Sequence, residues 1–392
     1  MGGQEVIVAG LGAVGSAALY QLARRGTRAL GIDRWAPPHA MGSSHGETRI
    51  TRLALGEGSQ YVQFARRSHE IWRELEAATG ATLLRAVGCL VYGAEDSRGS
   101  AHGAGDFLRT TIDVARQHGI DHEVLDAAAL RQRFPQFRWR GDERGCLEPG
   151  GGFVHPEACV DAQLTVAQGL GARIRTDERV VGWSADAGGV SVTTDRGTHR
   201  ADRLILATGA WLPAMVPHLG ARVRLYRQVM GWFRPDGEAA EFAAGAMPVY
   251  VRLPDAGSAM LYGFPAVDPA DPALKVAGEQ FDVPSAADAV EPSVSDAEQA
   301  ALFALAAPHL RITAPCVRAL ACRYAVTPDF HFIIDRVAPF APVWFASACS
   351  GHGFKHSAAV GEALAELAID SRTRFDLTGF AFRPWRLGGD PS

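Results

Sequence analysis

A strand-forming run, Val6-Ile7-Val8-Ala9, breaks into Gly10-Leu11-Gly12-Ala13-Val14-Gly15 and then into a segment with helical spacing, Ser16 to Arg25. No other feature of the chain restricts its fold as much. Three glycines at this spacing permit a tight turn, a close backbone approach to a pyrophosphate and tight packing of helix on strand. The pyrophosphate would then sit at the positive end of the helix dipole. Ala18 and Leu22 share one face of the helix, Arg24 and Arg25 occupy its last turn, and Gly26 stops it. Thr27 to Ile32 reads as a second strand ending at Asp33, where a carboxylate can receive a ribose 2′-hydroxyl. This βαβ unit predicts an α/β fold with a dinucleotide site. Asp33 disfavours NADP but does not separate NAD from FAD.

The 392 residues suffice for two domains, and 47% apolar with 21% charged residues excludes disordered and fibrous classes. The net charge of −4 argues against a nucleic-acid partner. No basic n-region and apolar h-region precede the first strand, and no run reaches the roughly 18 apolar residues of a membrane span. A cytoplasmic location, away from any membrane, is expected. The six cysteines (Cys89, Cys146, Cys159, Cys316, Cys322, Cys349) form no CxxC pair and read first as small buried apolar residues. His352 and His356 stand at i, i+4 without a matching acidic or histidine partner, so no metal is expected.

Further along, a loop from Pro37 to Glu47 precedes a helix carrying Phe64, Ile71, Trp72 and Leu75. Cys89 to Tyr92, Gly152 to His155, Val180 to Trp183, Val190 to Thr194 and Arg203 to Ala207 read as strands, and Ala158 to Leu170 as helix. Val223 to Phe281 suits an antiparallel sheet. Ser295-Asp-Ala-Glu298 is a capping box opening a helix through Ala306. Residues 279–291 suit an exposed connection, and Pro342 to Ala346 is a late buried strand before a helix reaching Ile369.

Several uncommon strings occur in order: Gly42-Ser-Ser-His-Gly-Glu-Thr-Arg-Ile-Thr-Arg52, Tyr226-Arg-Gln-Val229, Cys322-Arg-Tyr324 with Phe332-Ile-Ile-Asp335, and Ser350-Gly-His-Gly-Phe-Lys355. With the N-terminal fingerprint, they resemble the monomeric sarcosine oxidase and N-methyltryptophan oxidase family of flavoenzymes over the whole chain. The resemblance implies a Rossmann-like FAD domain (residues 1–88, 150–220 and 320–392) and a discontinuous substrate domain on an antiparallel sheet (89–149 and 221–319). It implies FAD, linked covalently through Cys322, and a monomer that oxidises a secondary amino acid with O2.

The same resemblance supplies roles. Gly10, Gly12, Gly15, Asp33, Ser44, Arg49, Val180, Gly209, Cys322, Gly351, Gly353 and Lys355 would contact the cofactor. Arg52 and Lys355 would hold the substrate carboxylate, Tyr262 and Tyr324 would stand beside the substrate, and Lys275 with Arg49 would serve oxygen reduction. A fixed ammonium stabilises superoxide as its charge develops. Where the family has a histidine and a threonine, this chain has Glu279 and Ala325, which points to a substrate larger than sarcosine or one with a second donor or cation. It also has two more residues between Gly263 and Lys275. Oxidation of a cyclic imino acid, a flavin dehydrogenase using another acceptor, and a non-enzymatic nucleotide-binding protein are the alternative readings.

Overall fold

The computed structural model describes residues 5–95, 99–220, 222–255, 259–289, 293–337 and 342–382. The first strand, Glu5–Ala9, lies inside a six-stranded sheet, with Arg28–Ile32 and Arg203–Leu206 parallel to it on either side. Arg173–Arg175 and Val343–Ser347 extend the parallel ladder, and Ile333–Arg336 closes one edge antiparallel. Val6 to Ala9 are fully buried because both faces of this sheet are covered. On one face the helix Ala13–Arg24 packs against the helices Pro156–Gly169 and Ser357–Asp370. A Cβ on Gly361 would stand 2.4 Å from the Ala17 Cβ, so glycine sets how closely the first and last helices approach. On the other face Val190, Val192 and Ala201, from a three-stranded antiparallel sheet, join the core with Ile7, Leu204 and Leu206.

The second large sheet has eight strands, in the order Ile312–Val326, Arg224–Pro235, Leu274–Gly278, Leu261–Phe264, Val249–Arg252, Cys89–Ala94, Glu143–Glu148 and Glu123–Leu125. All neighbours are antiparallel except Val249–Arg252 and Cys89–Ala94, which run parallel. The expected antiparallel platform therefore carries one parallel seam, where a strand from much earlier in the chain docks onto it. Phe233, Tyr250, Leu261, Val276 and Leu310 form its core, with Leu302 from the helix Asp296–Ala306. That helix opens as its sequence predicts: Ser295 Oγ accepts from Glu298 N, while Glu298 Oε2 accepts from Ser295 N at 2.9 Å. A small third sheet, Arg49–Thr51 with Gly152–Val154 and Leu84–Ala86, fixes the segment that carries Arg49 and Arg52.

Some expectations shift. The first helix starts at Ala13 rather than Ser16, because Ser16 N already donates to Gly12 O at 2.9 Å and closes the first turn. The division expected at residue 320 falls inside the strand Ile312–Val326, which pairs with Arg224–Pro235 along most of its length. Cys316 and Cys349 are only half-buried: the first part of that long strand faces solvent, and Cys349 lines a cavity. The connection 279–291 is mostly exposed from residue 282 onward, but it begins with Glu279 turned inward. Its residues 290 and 291 lie outside the described ones. No helix among the described residues is long and apolar enough to cross a membrane.

Candidate active site

The turn after the first strand is shaped for a ligand. Gly10 has φ +84°, and a Cβ there would lie 2.6 Å from Ala207 O. A Cβ on Gly15 would lie 1.7 Å from Gly10 O, so this position packs helix on turn and lines no cavity. Ser44 Oγ faces Gly12 and accepts from Ala13 N at 3.2 Å. The Asp33 carboxylate accepts from Leu11 N at 2.7 Å and Trp35 N at 3.0 Å, which fixes it at the tip of its strand.

A cavity of about 580 Å³ opens beside this turn. Gly10, Gly12, Asp33, Ser44, Val180 and Gly209 line it, and so do Arg49, Arg52, Tyr262, Glu279, Tyr324, Gly351, Gly353 and Lys355. Residues picked from widely separated stretches of sequence thus meet around one space. Thr208 Oγ1, also in the lining, is buried and has no hydrogen-bond partner. Two glycines that admit no Cβ and an unmet buried hydroxyl fit a dinucleotide lying along the helix N-terminus.

Lys275 and Cys322 are not among the lining residues; both are buried behind the wall. Lys275 Nζ donates to Gly46 O at 2.7 Å, Thr48 O at 2.6 Å and Thr48 Oγ1 at 2.9 Å, and stands 4.2 Å from the Phe264 ring centroid. Burial and the nearby Arg49 guanidinium push its pKa well below that of a free lysine. Arg49 is held by the carbonyls of Thr48 (2.9 Å) and Ser43 (3.1 Å). Cys322 packs with Met230, Trp232 and Tyr324, and its thiol interacts electrostatically with Lys275, Tyr262 and Tyr324. The Tyr262 and Tyr324 hydroxyls are 3.0 Å apart.

The polar end of the cavity is organised by two residues that sequence reasoning missed, Glu57 and His102. Arg52 Nη2 and Lys355 Nζ both donate to Glu57, each at 2.9 Å, so the two expected anchor cations converge on one buried carboxylate. Burial alone would raise the Glu57 pKa, yet Arg52 and Lys355 hold it well below the usual carboxylate range. Burial lowers the Lys355 pKa to about 8, against the pull of Glu57. His102 lies at ion-pair distance from Glu279 (2.5 Å) and Glu57 (3.3 Å); burial opposes its charge, but these carboxylates raise its pKa overall. Burial and Lys355 keep His352 neutral, and its Nε2 meets Phe330 O at 3.1 Å. The one signal for Glu57 is its place between Gly56 and Gly58, an acidic residue in a turn without polar neighbours. His102 had none.

A dinucleotide cradle joined to a buried cationic end is the arrangement of a redox site that takes an anionic substrate. The family of FAD-dependent oxidoreductases matches residues 5–367. The chain belongs to that family. Monomeric sarcosine oxidase of Streptomyces avermitilis is 36% identical over 395 residues, covering 99% of each chain. N-methyl-L-tryptophan oxidase of Yersinia pestis is 33% identical over 384 residues, covering 97% of this chain and 99% of that one. Among solved structures, NikD, an amino acid oxidase of nikkomycin biosynthesis, matches with TM-score 0.83 and 26% identity over the full length of both chains. L-proline dehydrogenase from P. horikoshii shares the fold at TM-score 0.78 and 20% identity, covering 97% of this chain and 96% of that one. The protein is therefore an FAD-dependent oxidoreductase, which decides between the two dinucleotides that Asp33 left open.

Proposed function

We propose that this protein oxidises a secondary, N-methyl amino acid to its imine and passes the electrons to O2, giving H2O2. Water then releases formaldehyde from the imine of an N-methyl substrate. The observation that carries this reading is the convergence of Arg52 and Lys355 on Glu57 at the end of the cavity that begins at the dinucleotide turn. Two buried cations paired with one carboxylate have capacity for a second, the substrate's. When bound, FAD accepts a hydride equivalent from the carbon beside the nitrogen and returns two electrons to O2. The chain's own residues orient the substrate: Arg52 and Lys355 fix the carboxylate, while Tyr262, Tyr324 and Phe264 form apolar walls that limit water. Lys275, held by Gly46 and Thr48, is assigned to stabilise the charge that forms as oxygen is reduced. The FAD would lie on the six-stranded sheet and be tethered by Cys322, and the eight-stranded sheet would carry the substrate.

Glu279 and the small Ala325, both in the cavity wall, favour a substrate larger than sarcosine, and a cyclic imino acid is the second reading. Assaying H2O2 and formaldehyde together across N-methyl and cyclic amino acids separates the two. Peroxide with formaldehyde supports the first reading and peroxide alone the second. Flavin that amino acids bleach anaerobically but air restores only slowly would instead indicate a dehydrogenase.

A further inference from the structure

His102 has a carboxylate oxygen opposite each ring nitrogen: Glu279 Oε1 at 2.5 Å from Nε2 and Glu57 Oε1 at 3.3 Å from Nδ1. Neither contact has hydrogen-bond geometry, since His102 Nδ1 and Glu279 Oε1 are both buried without a hydrogen-bond partner. The two carboxylates act on the ring through charge, and two anions at ion-pair distance favour its cationic form. The other groups at this end are His352, whose Nδ1 stands 3.9 Å from Glu57 Oε1, Phe107, Arg52 and Lys355. His352, with its ring centroid 5.0 Å away, is neutral; the Phe107 ring is apolar; Arg52 and Lys355 act on His102 across Glu57. The polar end of the cavity thus holds three cations, Arg52, Lys355 and His102, against two carboxylates, Glu57 and Glu279. Glu148 also acts on Arg52, and Arg49 lines the same cavity. Whatever those groups contribute, the His102 proton makes this end one charge more positive than it would be with a neutral ring.

That difference matters for an amino acid. As a zwitterion it carries no net charge; with its amine neutral it carries one negative charge. Each positive charge added to a buried site shifts the balance toward the second form, because charge interactions in a water-poor cavity are screened far less than in solvent. We propose that His102, held as an imidazolium between Glu57 and Glu279, adds a positive charge to the substrate end and thereby favours the amino acid with an uncharged amine. The ammonium proton leaves to solvent and no other bond changes. This rests on the amine-oxidation reading above, since a nitrogen that keeps its extra proton has no lone pair to assist loss of hydride from its neighbour.

The test is anaerobic reduction of the holoenzyme's flavin by sarcosine and by N-methyl-L-tryptophan, followed by absorbance from about pH 6 to about pH 10. In wild type the limiting rate should rise with pH around a midpoint below that of the free amine. His102→Gln keeps the size and polarity but removes the charge. It should move the midpoint up by about one pH unit, an approximately tenfold slower reduction on the slope. His102→Lys, which restores a cation, should return the midpoint toward wild type, an outcome that a purely structural role does not give. A midpoint unmoved in His102→Gln, or moved equally in both variants, overturns the inference. So does a wild-type midpoint equal to that of the free amine, a result that needs no variant. If neither amino acid bleaches the flavin at any pH, the amine-oxidation reading itself fails; bleaching with an unmoved midpoint rejects the role of His102 alone.

Discussion

Arg52 and Lys355 share Glu57, but they differ in what pH does to them. Arg52 stays charged throughout, because burial, which disfavours its charge, is outweighed by Glu57 together with Cys89 and Glu148. Lys355, lowered to about 8, holds its proton below that pH and loses it as the pH rises through it, so half of the anchor fades in alkaline solution. The affinity for a plain carboxylate such as propionate should therefore be flat up to about pH 7 and weaken above about pH 8. Lys355→Arg should remove the alkaline weakening, and Lys355→Met should cost roughly tenfold or more below about pH 7, as expected for a lost charged hydrogen bond, with the gap to wild type closing above about pH 8. Titration calorimetry across pH checks both; weakening that persists in Lys355→Arg would assign the titration to another group. Lys275 lies outside the cavity lining and is proposed for a separate task, oxygen reduction. Lys275→Met should slow reoxidation by O2 by orders of magnitude while reduction by substrate changes little, and stopped-flow measurement of the two half-reactions would expose equal losses if the assignment is wrong. At this scale the sequence was informative for residues inside recognisable strings, such as Arg49, Arg52 and Lys355. It was silent on Glu57 and His102, whose importance arises from a contact between segments about 45 and 300 residues apart.

The elements tell a related story. The strand–turn–helix at Gly10 to Gly15 is legible because its constraints are local: φ +84° at Gly10, and the collision a Cβ on Gly15 would make with the Gly10 carbonyl, belong to a six-residue stretch. Gly15→Ala places a carbon 1.7 Å from that oxygen, so the helix must move away from the turn that its N-terminus completes. The expected outcome is a protein that folds around its two large sheets but is purified without FAD. The ratio of flavin to protein absorbance measures this directly, and a fully loaded Gly15→Ala protein would remove the helix N-terminus from the cofactor site. The capping box at Ser295 was equally local and equally readable. By contrast, the parallel seam between Val249–Arg252 and Cys89–Ala94 left no trace in the sequence, since each strand is a short apolar run whose direction relative to its neighbour is set only by tertiary packing. The same limit explains Glu279, which opens a mostly exposed, Pro- and Ala-rich connection yet turns into the cavity to meet His102.

Over the whole molecule, the cavity is where distant pieces of chain depend on one another. Its lining spans Gly10 to Ser357, drawing on both large sheets, the small sheet that carries Arg49 and the turn before the last helix. A ligand filling about 580 Å³ there binds the folded chain and has no comparable site on the unfolded one, so FAD should act as a stabilising ligand of the entire fold. Covalent attachment through Cys322 would make this contribution permanent and independent of concentration. Cys322→Ala turns the proposal into a thermodynamic measurement, because the buried thiol is replaced by a smaller apolar residue and the cofactor becomes free to exchange. Wild type should keep its yellow colour in the pellet after acid precipitation and show a Tm that ignores added FAD. Cys322→Ala should release its flavin to the supernatant and show a Tm that climbs with free FAD, by about 1.4 kcal/mol of stability for each tenfold excess over Kd. A wild-type protein whose flavin also washes out, with a Tm that follows FAD in the same way, would mean that Cys322 is a packed thiol and that the cofactor is held by the turn and cavity alone.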